Sequence, residues 1–342
     1  MENRRLLSIS LPFVAGVACG ALYTSQLSLF VVVFCLGALT LTKKYDKWVI
    51  PLMLFALGLF CYSSRCPIGV GQNVNVIAER VRGLIDSIPF EDGRTGPLLR
   101  ALMTGDRSGL DRETVSAFRR SGASHLLALS GLHLGIIALF IRYLLMILGN
   151  SRPAEIVRAV LLVSFCLAYT IACGASPSLV RALLFIILQQ LAALSPGRRC
   201  LPADRLCIAG TIQLALDPGA ISSVAFQLSY LAMLGIVFIV PRLEAWYPST
   251  RLSARIDPLR RIWKGAAVAI ACQVTTAPVA LLRFGYFPQY FLLTNLLAMP
   301  VCGVLLPLAL LTLLLGCPPP LVWITDKTAT LLLYVLEIIA AL

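Results

Sequence analysis

The stretch Ser121 to Gly135, SGASHLLALSGLHLG, decides how this sequence is read. It holds both histidines of the chain, His125 and His133, together with Ser121, Ser124, Ser130 and glycines at 122, 131 and 135. From there the chain stays apolar to Leu148, apart from Arg142. Polar groups and glycines at the opening of a membrane helix are expensive in lipid, so they mark a functional site by default.

The chain around this stretch has the composition of a membrane protein. Of its 342 residues, 58% are hydrophobic and 13% charged, against about 25% charged in a soluble domain. Mean hydropathy is +0.86. The apolar residues fall into blocks long enough to cross a hydrocarbon core about 30 Å thick. The expected spans are about 6–23, 27–42, 48–63, 123–148, 157–173, 179–194, 206–221, 224–240, 265–282, 290–316 and 321–341. Asp217-Pro218-Gly219 interrupts the seventh, and Pro300 and Pro307 allow the tenth to be two pieces. The fold class is therefore all-α: a polytopic helical membrane protein with about eleven transmembrane helices, amphipathic surface helices and broken or re-entrant segments.

The net charge of +13 does not by itself argue for nucleic acid, because positive-inside bias produces it. Alternating the spans from a cytoplasmic N-terminus puts Arg4 and Arg5, Lys43, Lys44 and Lys47, Arg152 and Arg158, and the basic run Arg242 to Lys264 inside. The expected localisation is a bacterial cytoplasmic (inner) membrane, N-terminus inside and C-terminus external. Residues 1–64 read as a membrane hairpin and a third helix, 65–122 as an external amphipathic segment, and 123–342 as the main membrane domain. Within 65–122, Val74, Ile77, Val81, Leu84, Ile85 and Ile88 follow helical spacing. A second helix fits Thr95 to Met103 with Gly105 as its stop. A third fits Asp111 (the cap) to Arg120, with Val115 and Phe118 on one face. Such helices lie along the membrane surface or pack on the bundle.

Taken as one helix, the opening stretch puts His125, Ser130 and His133 within an arc of about 140°. Gly131 and Gly135 fall opposite, four apart, as a helix-packing surface. One face then lines a polar pathway or bonds between helices. Ser130 three residues before His133 also suggests an intramembrane hydrolase, but no G-x-S-x-G elbow and no orienting acid accompany them. No catalytic residue, metal site or cofactor is expected: two histidines eight apart lack a third ligand, and no Walker motif occurs. Cys61 and Cys66 flank a membrane exit and could pair on an oxidising side. Further polar or breaking sites are Gly174 to Ser178 before Arg181, Asp217 to Gly219, Phe226 to Tyr230, and Thr294-Asn295.

SHLLALSGLHLG, with Leu102 to Arg107 (LMTGDR) and Phe118 to Gly122 before it, resembles the signature of the ComEC-type competence-protein family. Tyr169 with Gly174 to Ala182 is similar to its next motif, and Asp217-Pro218 with Phe226 to Ala232 to the third. Pro278, Asn295 and Pro300 fit the fourth more loosely. The resemblance implies an inner-membrane channel, not an enzyme, that passes one strand of DNA to the cytoplasm during natural transformation. Lining candidates are His125, Ser130, His133, Arg181, Gln227, Ser229 and Asn295. The partners expected are single-stranded DNA, the lipid bilayer and external DNA-receptor or nuclease proteins; with no Walker motif in the chain, ATP-driven transport needs a separate cytoplasmic motor ATPase, for which the basic loop 242–264 is the candidate docking segment. Family members often add an OB domain and a metallo-β-lactamase-like domain. Residues 64–94 read as helix instead of an OB domain, and two histidines cannot supply the metal cluster of the other. A scaffold or degenerate subunit of a split uptake machine is the alternative expectation.

Overall fold

The computed structural model describes residues 3–22, 46–63, 75–149, 151–194, 201–248, 257–285 and 287–342. Among them no strand occurs. The helices are α1 (Asn3–Leu22), α2 (Asp46–Ser63), α3 (Asn75–Asp86), α4 (Thr95–Thr104), α5 (Arg112–Arg120), α6 (Ser124–Leu127), α7 (Gly131–Leu144), α8 (Arg152–Ala172), α9 (Pro177–Leu194), α10 (Pro202–Leu216), α11 (Val224–Phe238), α12 (Val240–Ala245), α13 (Pro258–Phe284), α14 (Phe291–Leu314) and α15 (Pro319–Ala341). Among the described residues, six stretches are long and apolar enough to cross a membrane: Gly131–Leu148, Arg152–Ala172, Pro177–Leu194, Val224–Ala245, Pro258–Phe284 and Phe291–Leu314. The protein is an all-α, multi-pass membrane protein. The expected span 27–42 and Cys66 lie outside the described residues.

The chain divides into two compact units. The first holds Met1–Gly69 and Ile187–Met233. Here α1 and α2 pack with their backbones in contact. A Cβ on Gly16 would strike the Phe55 carbonyl, and one on Gly58 would strike the Phe13 carbonyl. Small residues permit this approach, and close approach is what associates helices in lipid, where apolar burial gives little drive. Phe13 and Val17 then pack with Leu214, Ala220 and Phe226. The Asp217 carboxylate accepts from the Gly219 amide at 3.1 Å and starts a 3-10 turn, Pro218–Ser222.

The second unit holds Val70–Ile186 and Leu234–Leu342. Its core joins Ile85 of α3, Leu98, Leu99, Leu102 and Met103 of α4, and Phe118 of α5 to Cys302, Leu305 and Leu306 of α14 and Leu332, Leu333 and Leu336 of α15. Helices α3 to α5 are thus part of the core. Their starts and stops follow the sequence: the Asp111 carboxylate accepts from the Thr114 amide at 3.1 Å, and Gly105 ends α4 at φ 78°. The inward face of α5 differs from the expectation. Val115 is 40% exposed, and Thr114 and Ala117 turn inward beside Phe118. Leu84 likewise faces out, and Ile85 carries the buried face of α3.

The tenth expected span is one helix, not two pieces. α14 continues through Pro300 and Pro307. Each proline removes one backbone bond, but neighbouring helices hold such a helix together; here α15 and α4 pack along Ala298, Cys302, Leu305 and Ala309.

Candidate functional site: a broken helix entrance

The opening stretch is not a continuous helix. α6 ends at Leu127; Ala128 (ψ 125°) and Ser130 (ψ 161°) are extended, and α7 begins at Gly131. The arc that joined His125, Ser130 and His133 on one helical face therefore does not exist. The cause is tertiary. The Leu127 carbonyl, freed from the helix ladder, accepts from Arg107 Nε at 3.0 Å. The Leu129 side chain packs over Gly105, where a Cβ would come within 2.6 Å of Leu129 Cδ1. Gly105 holds a left-handed φ as well, so both its space and its backbone demand glycine.

His133 and Ser130 form the cap of α7. The Ser130 amide donates to His133 Nδ1 at 3.2 Å, and Ser130 Oγ lies 2.9 Å from the same nitrogen. His133 is fully buried, and its Nε2 has no partner among the described residues. This is a capping arrangement. A general base would need a carboxylate on the far ring nitrogen to orient it, and none bonds it among the described residues.

His125 does separate work. Its Nδ1 donates to the Gly122 carbonyl at 3.1 Å, and the side chain bonds Asn295. Thr294 Oγ1 donates to the Ser121 carbonyl. Gly122 has φ 82°, and a Cβ there would lie 2.7 Å from Pro288 Cβ. The Ser121–His125 turn is thereby docked on the start of α14.

Arg181, 8% exposed, closes the other side. Gly131 meets it directly: a Cβ at 131 would lie 2.6 Å from Arg181 Nη2, 3.1 Å from Ala182 Cβ and 3.2 Å from the Ser178 carbonyl. Gly131 therefore sits in close contact with the start of α9. Gly135 makes no such contact: it is exposed, with nothing within 4 Å among the described residues. Between α8 and α9 the chain breaks again, with Ala175 at a left-handed φ of 47°. Such a backbone costs about 1 kcal/mol or more for a non-glycine residue and persists only where surroundings enforce it.

Gln227 and Ser229 belong to the first unit, and His125, Ser130, His133, Arg181 and Asn295 to the second. Gln227 Nε2 donates to the Ile221 carbonyl at 2.9 Å and fastens the 3-10 turn to α11.

Three groups in the second unit were not among the sequence candidates. Tyr169 donates to the Met103 carbonyl at 2.7 Å, tying α8 to the end of α4. Asp106 lies 3.6 Å from both Arg82 and Arg100. Asp326 of α15 is 1% exposed and accepts from Thr95 Oγ1 at 2.5 Å. An acid in an apolar block, with only Lys327 and Glu337 as other charges in α15, was the signal for Asp326; Asp106 and Tyr169 sit inside the quoted motifs.

The motifs 102–107, 118–135, 169–182 and the start of α14 thus converge on one break in one unit. The family model described as "Competence protein" matches residues 102–342. The chain belongs to the competence-protein family. ComE operon protein 3 of Bacillus subtilis (strain 168) is 28% identical over 205 residues, which cover 59% of this chain and 24% of that relative. The chain therefore spans about a quarter of the length of the curated relative it matches. No solved structure matches.

In this competence protein Asp106 gives a pH test of the loop that supports the break. Hydrogen bonds from Ser108, then the nearby Arg82 and Arg100 guanidiniums, hold its carboxyl below the usual carboxylate value. A lowered folded-state pKa stabilises the fold above the unfolded value, about 4, and that contribution is lost as pH falls through the lowered value. Asp106→Asn should lower the unfolding midpoint in detergent at pH 6, and the gap to wild type should close toward pH 3. A gap independent of pH would show that the charge is not the cause.

Proposed function

We propose that this protein acts in DNA uptake during competence, as an inner-membrane channel that passes single-stranded DNA to the cytoplasm and performs no chemistry of its own. The observation that carries this reading is the family match over 102–342, which contains all six of the long apolar helices found among the described residues. A polyanion crossing hydrocarbon needs a polar, electropositive path. Buried Arg181 and the broken helices around Ser130 and Ser176 are suited to line one, since irregular backbone at membrane depth is tolerated where it lines a cavity. The energy source is a separate motor ATPase, with residues 242–264, helical to Ala245 and again from Pro258, as its docking segment, and DNA arrives through external receptor or nuclease proteins. The N-terminus is cytoplasmic.

In a deletion strain lacking other family members, labelled DNA should still bind outside the cell, but no labelled strand should appear inside. Expression of the chain should restore internalisation. Normal internalisation in the deletion strain sinks the reading. The 2.9 Å contact of Ser130 with His133 favours one rival, an intramembrane hydrolase. Ser130→Ala should leave DNA internalisation within about twofold if Ser130 only caps α7, because a cap is worth about 1 kcal/mol. Complete loss of activity with a normally folded Ser130→Ala protein favours the hydrolase.

A further inference from the structure

We propose that the adjoining N-termini of α7 and α9 bind a phosphodiester oxyanion, held by the Arg181 guanidinium, the His133 Nε2–H and the first amides of α7. The choice of a DNA phosphate as its source rests on the uptake reading above.

Four observations point to an anion. First, two helix starts meet: Gly131, which opens α7, packs against Ser178, Arg181 and Ala182 in the first turns of α9. α8 returns the chain between them, so both helices leave this point in the same sense and both present their positive ends. Discontinuous membrane helices bind anionic substrate groups in this manner. Second, a buried guanidinium lies on the first residue of α7. A guanidinium presents a fork of N–H donors that matches an oxyanion, and a helix N-terminus favours the same charge.

Third, the tautomer of His133 is set by its surroundings. The Ser130 amide donates to Nδ1, so Nδ1 carries no proton and the neutral ring carries it on Nε2. That N–H is buried and has no acceptor among the described residues. A buried donor of this kind calls for an acceptor. Fourth, Ser176 Oγ, at the start of α9, is buried and likewise unpartnered among the described residues. Arginine, imidazole N–H and backbone amides are donors only, and a phosphodiester offers two non-bridging oxygens that share one negative charge.

The test uses the full chain in nanodiscs of neutral lipid, with a fluorescein-labelled single-stranded 20-mer followed by anisotropy. Arg181→Gln should weaken binding about tenfold or more and lower the slope of log K against log salt by about one. Two histidine variants separate anion binding from capping. Asparagine at 133 keeps an acceptor for the Ser130 amide but loses the distal donor; glutamine keeps a distal donor and loses the cap. Anion binding requires His133→Asn to weaken affinity several-fold and His133→Gln to stay near wild type. The reverse order overturns the proposal and leaves His133 as a cap alone. Unchanged affinity in both Arg181→Gln and His133→Asn also overturns it.

A methylphosphonate 20-mer, which lacks the charge, should not bind. Nanodiscs containing phosphatidylglycerol give the second arm. If that lipid displaces the 20-mer from wild type but not from Arg181→Gln, the oxyanion site stands. If the 20-mer does not bind while the lipid does, the DNA source is overturned. Failure of the site is separable from failure of the uptake reading. Lost internalisation on deletion with normal internalisation by Arg181→Gln refutes the site and keeps the channel; normal internalisation on deletion refutes the channel.

Discussion

Gly58→Val is expected to part α1 from α2 and to destabilise the first unit by about 3 kcal/mol or more, the upper range for overpacking. The reason is the kind of atom it meets. A Cβ at 58 strikes the Phe13 carbonyl and the Val17 amide nitrogen, and the reciprocal Gly16 faces the Phe55 carbonyl. Backbone cannot rotate away as a side-chain tip can, so the helices must separate. Separation also opens the packing of Phe13 and Val17 with Leu214 and Phe226. The contrast is Gly135→Ala. Position 135 has nothing within 4 Å among the described residues. Alanine there should be neutral or stabilise by about 0.5–1 kcal/mol, because glycine inside a helix costs that much. Unfolding midpoints of the purified variants in detergent decide the matter. Equal midpoints for the two variants would refute the backbone contact between α1 and α2.

Asp326→Ala is the second large effect, expected to destabilise the second unit by about 3 kcal/mol. The carboxylate accepts from Thr95 Oγ1 at 2.5 Å and from the Asp92 amide at 3.4 Å. Thr95 is the first residue of α4 and is fully buried. Asp326 therefore anchors α15 to the positive end of α4, where a negative group is favourable. Alanine removes an acceptor for a buried hydroxyl, and charge-assisted bonds are worth about 1.5–3 kcal/mol each. Asp326→Asn keeps a carbonyl acceptor and should lose about half as much. A double-mutant cycle with Thr95→Val should return a coupling of about 1 kcal/mol or more. Strict additivity would show that the contact contributes nothing. On the uptake function proposed above, loss of this anchor should also reduce DNA internalisation, since α4 supports Gly105 and, through it, the break at Leu129.

Local chemistry made much of this legible. Asp111 reads as a cap and caps α5; Gly105 reads as a stop and ends α4. The apolar blocks read as spans because length and hydropathy are properties of the chain itself. Arg181 and Gly131 were picked separately as unusual residues, and the fold places one against the other. The break at Ala128–Ser130 was not legible. Ala-Leu-Ser contains no helix breaker, and the apolar residues around it fit a helical period. What interrupts the helix is remote: Arg107 takes the Leu127 carbonyl, and Gly105 gives Leu129 a place to pack. The prolines of α14 misled in the opposite direction. A missing backbone bond predicts a break, whereas burial of the helix against α4 and α15 keeps it whole.

By itself, then, the sequence determined class, helical blocks, local caps and the family motif at 121–135, because these depend on residue type and near neighbours. The tertiary structure alone decided that the motif is a broken helix, that Gly16 and Gly58 rather than Gly135 bring helices together, and that Asp326 anchors α4. The break, the α1–α2 contact and the Asp326 anchor each depend on an atom contributed from elsewhere in the chain, 231 residues away in the bond from Thr95 to Asp326, and no local pattern carries that information.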